Sequence, residues 1–275
     1  MTSCKVSLEE DDNMFVIGER INGMYTDIKT AIQTKDKGPV QKQALEQEKA
    51  GANALDINVG PATTDKEGAM IWLVETMREV TTIPLSIDTA KFAAMSAGLK
   101  VAGGSAIMNS SKGDEKSLDI YLPLAKENGA SIIILCIDEK GVPSNVDGRL
   151  EIAMRGLAKA MEYEIDVDKI IIDPFVLPVN VAQAQPANVL QAIREIRQLS
   201  DPAPNMVIGL SNLSQKCSNP KLINRTFLSM CISNGLNMVI ADVTDRELMD
   251  TAITSELLMN KSIYCDSFIE AYYSK

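Results

Sequence analysis

Eight short apolar runs in the chain each end in residues that can hydrogen-bond or ionise. The first closes on Glu19, Arg20 and Asn22, the second on Asp56 and Asn58 before Gly60 and Pro61, and the third on Asp88 and Thr89. The fourth closes on Asn109 and Ser110, the fifth reaches Asp138, and the sixth carries Asp173 before Pro174. The seventh contains Gly209 and ends in Ser211 and Asn212, and the eighth ends in Asp242. Brought to one place, these residues form a set rich in Asp and Asn. Carboxylates accept hydrogen bonds, whereas a side-chain amide both donates and accepts. Such a cup suits a flat heterocycle with several N–H donors on one edge and carbonyl or ring-nitrogen acceptors on another.

Taken singly, an Asp or Asn after a strand more often caps the next helix or shapes a turn. For Asp138 and Asp242 that reading stands level with a role in a site. Asp88, Asn109, Asp173 and Asn212 taken together read as a site. Asp173 lies inside an apolar run, where a carboxylate is costly without a partner. Gly209 weakens strand pairing but lets a ligand approach the backbone. Gly23 and Gly60 are read as turn residues, and the 14 methionines and Trp72 as filling for core and helix gaps.

The composition excludes a good deal. The chain of 275 residues has no histidine, so neither a Ser–His–Asp nor a Cys–His arrangement can form. A conventional zinc site is excluded with it, since the cysteines are not clustered. Proton transfer near neutral pH must come from shifted carboxylates, lysines, amide dipoles or water. Cys4, Cys136, Cys217, Cys231 and Cys265 are scattered and odd in number, which reads as reduced thiols in a cytoplasmic protein. A net charge of -10 argues against nucleic acid or an anionic membrane as partner. No apolar stretch is long enough to span a bilayer, and the acidic start MTSCKVSLEEDDN lacks the features of a secretion signal.

The elements that must position the polar residues follow from periodicity. Strands are expected at 15–20, 54–60, 83–89, 105–111, 131–138, 170–176, 206–212 and 238–244. Several are continuous apolar runs, as in parallel strands covered on both faces. Between them lie helical stripes, among them Met70, Leu73, Val74 and Met77, and Val189, Ile193 and Ile196. Thr64 with Glu67 and Thr244 with Glu247 fit capping boxes, and Ala182 to Pro186 reads as a loop leading into a helix. Eight such units without a composition break predict one α/β domain over 15–275, a single (β/α)8 TIM barrel, preceded by an N-terminal extension over 1–14. The glycine-rich turn of a doubly wound dinucleotide fold is missing after the first strand. In a barrel the C-terminal strand ends converge on one face, where the active sites of this architecture lie.

Several long phrases resemble a known family. IGERINGM (17–24), ALDINVGP (54–61), DPFVLPVNVAQ (173–183), DPAPNMVIGLSNLSQKC (201–217), INRTFL (223–228) and YCDSF (264–268) are similar to the methyltetrahydrofolate:corrinoid/iron–sulfur protein methyltransferases. More broadly the chain resembles the pterin-binding barrels, which include dihydropteroate synthase and the folate-binding domain of cobalamin-dependent methionine synthase. The likeness runs from about Phe15 to the C-terminus. The segment before Phe15 departs from it, as does NSSK at 109–112 where NST is usual; both leave the corrinoid partner open. A pterin has the edge pattern that the cup suits. The resemblance implies that Asp88, Asn109 and Asp173 hold the pterin ring, that Asn212 stands near N5, and that Gly209 and Ser211 adjoin it. Asn22, Asp56, Asn58 and Gln215 match further polar positions on that face. Asp88 and Asp173 are expected to stay ionised if each accepts N–H bonds from the ring.

The activity so implied is methyl transfer between N5 of (methyl)tetrahydrofolate and the cobalt of a corrinoid (cobalamin), with no metal held by this chain. No DxHxxG-type stretch is present, so the corrinoid is expected on a separate protein docking over the barrel mouth. Asn212 would donate a hydrogen bond to N5 as it gains a proton from water. Relatives imply a homodimer. A tetrahydrofolate-dependent component of an O-demethylase system, taking methyl from its own corrinoid protein, is the alternative. Dihydropteroate synthase fits less well, because Arg20 and Lys112 are nearly the only bases at the strand ends; a non-enzymatic pterin-binding subunit is a further minor reading.

Overall fold

The computed structural model describes residues 13–261. Cys4, Cys265, the YCDSF phrase and most of the 1–14 extension lie outside them. Eight parallel strands close into a barrel in the order of the chain: β1 (Phe15–Asn22), β2 (Ala54–Asn58), β3 (Leu85–Asp88), β4 (Ile107–Lys112), β5 (Ser131–Leu135), β6 (Ile170–Asp173), β7 (Asn205–Gly209) and β8 (Met238–Ala241). The closing pair sets Phe15 opposite Met238 and Ile17 opposite Ile240. The barrel is the architecture that the eight apolar runs predicted.

Helices cover the barrel outside: α1 (Thr26–Thr34), α2 (Lys37–Lys49), α3 (Lys66–Arg78), α4 (Phe92–Ala102), α5 (Glu115–Asn128), α6 (Val146–Glu162), α7 (Gln185–Ile196), α8 (Pro220–Ser233) and α9 (Arg246–Leu258). The β1–β2 connection carries two of them. Met70, Leu73, Val74 and Met77 are fully buried, as are Val189, Ile193 and Ile196, so both expected stripes face the barrel. Pro186 sits in the first turn of α7, where its missing N–H costs nothing.

The two capping boxes do not form. The α3 cap is Asp65, whose carboxylate accepts from Gly68 N, and Thr64 lies one residue too early. Before α9 the cap position falls on Asp245, which makes no side-chain cap bond. Thr244 instead donates its N–H and hydroxyl to Asp242, and Glu247 pairs with Arg225. In both places the helix starts later than the box requires.

Side-chain alternation along the strands divides the interior into layers. Ile17, Ala54, Ile107, Ile133, Ile171, Val207 and Met238 point inward and form one apolar cluster that closes the barrel from below. Their outward neighbours, such as Val16, Leu55, Met108, Ile132, Ile172 and Ile208, belong to the larger core beneath the helices. Strand side chains have a period of two, so the next inward layer comes two residues further on. It consists of Glu19, Asp56, Asn109, Leu135, Asp173, Gly209 and Ile240, with Asp88 on β3. The barrel thus passes from an apolar floor to a polar ceiling in a single step.

Several strands stop short of the apolar runs. β6 ends at Asp173 because Pro174 has no N–H for the ladder, and β5 ends at Leu135 rather than Asp138. Asp138 accepts from Lys140 N and Asp242 from Thr244 N, so both shape turns. Cys136 and Cys231 are buried and Cys217 partly so, all as free thiols. No helix among the described residues is long and apolar enough to cross a membrane.

Candidate functional site

The polar ceiling is the floor of a cavity of about 360 Å³ that opens at the C-terminal ends of the strands. Of the ten residues expected to serve a ligand, Asn22, Asp56, Asp88, Asn109, Asp173, Gly209, Ser211 and Asn212 line it. Asn58 and Gln215 do not. Asn58 is consumed inside the protein, donating to Asp88 Oδ2 at 2.5 Å and accepting from Gly60 N at 2.6 Å. Gln215 lies beyond the short turn Leu210–Asn212 and points to solvent.

The lining also contains Glu19, Tyr25, Ser110, Leu135, Phe175 and Ile240, none of which was singled out as a site residue. The two-residue step from the apolar floor would have found Glu19, Leu135 and Ile240. Tyr25 and Phe175 come from loops, and no periodicity reaches them.

Three carboxylates are held from three sides. Asp56 is buried and accepts from Ser86 Oγ at 2.6 Å and Asn109 Nδ2 at 3.0 Å. Asp88 accepts from Asn58, and Asp173 accepts from Phe175 N at 2.8 Å. Burial pushes all three carboxyls above the usual carboxylate range. For Asp56 the rise is large, with the neighbouring Asp88 adding to it. Asp88 rises by burial against the opposing Asn58 bond. Asp173 reaches about 7, although the Phe175 N–H and the Arg149 guanidinium pull it down. Asp88 and Asp173 were expected to be ionised when each accepts N–H bonds from a ring, and the protein's own contacts supply only Asn58 to the first and the Phe175 N–H to the second. Desolvation outweighs the few donors the fold supplies, and a ligand must bring more.

On the opposite wall Ser211 Oγ donates to Glu19 Oε1 at 2.6 Å. Burial lifts Glu19 to about 7; the Ser211 bond lowers it and the nearby Asp242 raises it. Asn212 follows Ser211 on the same short turn. An added Cβ on Gly209 would lie 3.0 Å from Asn212 Nδ2, so the absent side chain leaves room for that amide.

The loop after β6 is fixed from behind. Arg149, buried on α6, donates to Pro174 O at 2.8 Å, Pro143 O at 2.8 Å, Asn145 O at 3.0 Å and Gln185 Oε1 at 2.5 Å. It spans the β5–α6 and β6–α7 loops. Phe175, between Asp173 and this clamp, has a left-handed φ of 60°.

No lysine or arginine is among the lining residues. Arg20 turns away, stacking 3.9 Å over the Tyr25 ring and pairing with Asp27 at 3.2 Å. Lys112 is exposed at the end of β4. What the cavity offers is acceptors, amides and two aromatic rings.

A parallel eight-stranded barrel with a carboxylate- and amide-lined cup at its C-terminal face is an enzyme scaffold for a small, flat, polar ligand. The chain belongs to the pterin binding enzyme family, whose model matches residues 24–242.

A methylcorrinoid:tetrahydrofolate methyltransferase of Eubacterium limosum is 25% identical over 261 residues, covering 94% of this chain and 96% of that protein. A methionine synthase of Mycobacterium leprae is 27% identical over 248 residues, 86% of this chain. The chain spans only about a fifth of that much longer protein, 20%. Among solved structures, a dihydropteroate synthase of Coxiella burnetii in complex with pteroic acid superposes with a TM-score of 0.67 at 15% identity, covering 91% of this chain and 94% of that one. A Yersinia pestis dihydropteroate synthase gives 0.65 at 15%, with the same coverages of 91% and 94%. At such identities the structural likeness is one of fold. The resemblance to pterin-binding methyltransferases seen in the sequence is borne out by the family match and the E. limosum relative.

Proposed function

We propose that the protein is a methyltransferase that moves a methyl group between N5 of tetrahydrofolate and the cobalt of a corrinoid carried by a separate protein. One observation carries most of the weight: Asp88, Asn109, Asp173 and Asn212, from four strand ends, share one cavity in a chain similar along nearly its whole length to a methyltransferase of this kind. In this reading Asp88 and Asp173 accept from the ring N–H groups. Their raised pKa values then mark them as acceptors short of donors, a deficit the pterin edge supplies. Asn109 is oriented by its bond to Asp56 and presents its remaining amide atoms to the ring.

Asn212 donates to N5. An amide cannot give up a proton, but its dipole stabilises N5 as charge changes there, and one such donor is typically worth about 3 kcal/mol of barrier. Fixing the ring also fixes the methyl group for in-line attack. The corrinoid is a second substrate rather than a resident cofactor. The chain has no histidine to offer cobalt, and the open cavity mouth is where a carrier protein would bring it. The unit over 15–275 would act as a homodimer, as the sequence resemblance implies, in the cytoplasm, as the scattered cysteines suggest.

A second reading is favoured by the name of the E. limosum relative, which puts methylcorrinoid first and tetrahydrofolate as acceptor. In it the protein takes methyl from the corrinoid protein of an O-demethylase system. The cup and its chemistry are unchanged; only the partner and the direction differ.

The test is anaerobic mixing with methyltetrahydrofolate and Co(I) cobalamin, read by cobalt absorbance, with Asn212→Ala and Asp88→Ala alongside. Conversion to methyl-Co(III), strongly reduced in both variants, is expected. Failure to bind methyltetrahydrofolate at all would sink the reading. Turnover with one purified corrinoid protein and not another distinguishes the two partners.

A further inference from the structure

Methyl transfer at N5 needs a proton, and so far only water has been named as its source. When the N5–CH3 bond breaks, its electron pair returns to nitrogen while the acceptor's pair forms the new bond to carbon. Nitrogen leaves well only if it gains a proton. Asn212 can only donate a hydrogen bond, and the chain has no histidine.

We propose that Glu19, held by Ser211, is the group that gives N5 its proton as the methyl departs and takes it back in the reverse transfer. This rests on the methyltransferase reading and replaces bulk water as the proton source. Glu19 is the inward residue directly above Ile17, at the level of Asp56 and Asn109, so its carboxyl belongs to the cavity wall. Its bond to Ser211 is 2.6 Å and joins the end of β1 to the turn that carries Asn212. Glu19 is thus bonded to the residue just before Asn212, and both line the same cavity, on segments brought together across the β8–β1 closure.

The surroundings are those a proton carrier needs. Glu19 faces Asp56 from β2, Asp242 after β8 and the Tyr25 hydroxyl, with Asp88 one strand further on. Arg20, next to it in the chain, is engaged by Asp27 and the Tyr25 ring. An acidic, desolvated setting favours the neutral acid, and a value of about 7 leaves both forms available at neutral pH. The carrier must be protonated for methyl to leave N5 and ionised for methyl to arrive. The first direction therefore slows as pH rises through about 7, and the second slows as pH falls through it.

Asp173 also titrates near there, so the variants decide. Methyltetrahydrofolate binding is measured by calorimetry near neutral pH in two buffers of different ionisation enthalpy. Transfer to Co(I) cobalamin is followed on both sides of neutrality. Glu19→Gln keeps shape and the bond to Ser211; it should still bind methyltetrahydrofolate, lose the Glu19 share of the linked proton exchange while Asp173 keeps its own, and slow transfer by about 100-fold or more with an altered limb near 7. Ser211→Ala removes a bond that lowers the Glu19 value, so its limb should move to higher pH, which a merely structural role would not produce. Equal proton exchange in wild type and Glu19→Gln, zero included, or an unchanged pH limb in that variant, overturns the proposal and leaves the methyltransferase reading intact. No binding by the wild type defeats that reading first.

Discussion

Asn58 and Asp88 stand opposite each other on β2 and β3, and the Asn58 amide donates a 2.5 Å hydrogen bond to Asp88 Oδ2. The next partner across the sheet from Asp88 is Asn109, on β4. Three polar residues in neighbouring registers are therefore divided in their work. Asn58 also closes its own turn through Gly60 N, so it fixes Asp88 without reaching the cavity.

Asn58→Ala should for this reason act through Asp88. Its bond lowers the Asp88 pKa against burial, and removing it leaves more of the carboxyl protonated at neutral pH. A hydrogen bond to a charged group is worth about 1.5–3 kcal/mol, so methyltetrahydrofolate binding should weaken roughly tenfold or more and recover in part as pH rises. Titration at two pH values checks this. A loss equal at both would mean that Asn58 contacts the ligand itself.

Gly209 bears on Asn212 in the same indirect way. Its φ of -74° is open to any residue, so Gly209→Ala carries no backbone strain. The added methyl would nevertheless lie 3.0 Å from Asn212 Nδ2 and displace the amide. Thermal stability should hardly change and binding should hold within a few-fold, while the transfer rate falls by about tenfold or more, since small misplacements of a positioned group are costly. An unchanged rate would remove Asn212 from the mechanism.

Asp173 links the site to folding. Its folded value of about 7 lies above the ordinary 3.8, so the folded state favours the protonated form. The stability this contributes is fully present below about 3.8 and is lost as pH rises through about 7. Asp173→Asn, which has no charge to bury, should match wild type in acid and exceed it above neutral pH, by at most roughly 4 kcal/mol at 1.4 kcal/mol per unit. Urea unfolding at acid and alkaline pH measures the gap, and a gap that does not grow with pH would refute the burial argument. The same variant should bind the pterin poorly, a site that costs stability being common where function needs it.

Much of the barrel was legible in the chain. Eight apolar runs at regular spacing were strands, and the stripes at Met70–Met77 and Val189–Ile196 were the buried faces of helices. Both signals are local, set by side-chain periods of two and 3.6. The polar strand ends were equally plain, and eight of the ten candidate residues share the cavity, because a parallel barrel sends every C-terminal strand end to one face. Helix starts were less legible. Asp65 rather than Thr64 caps α3, since the exact turn depends on how the preceding loop packs.

What the sequence could not contain is which polar group meets which. Asn58 and Asp56 are two residues apart and similar in kind, yet one bonds Asp88 and the other holds Ser86 and Asn109. Glu19 and Ser211 are 192 positions apart and touch only because β8 closes on β1. Composition and period decided that there would be a barrel with an acidic, amide-rich mouth. Closure and register decided which carboxylates are desolvated and which are partnered, because the charge state of a buried group depends on neighbours that only the folded chain supplies.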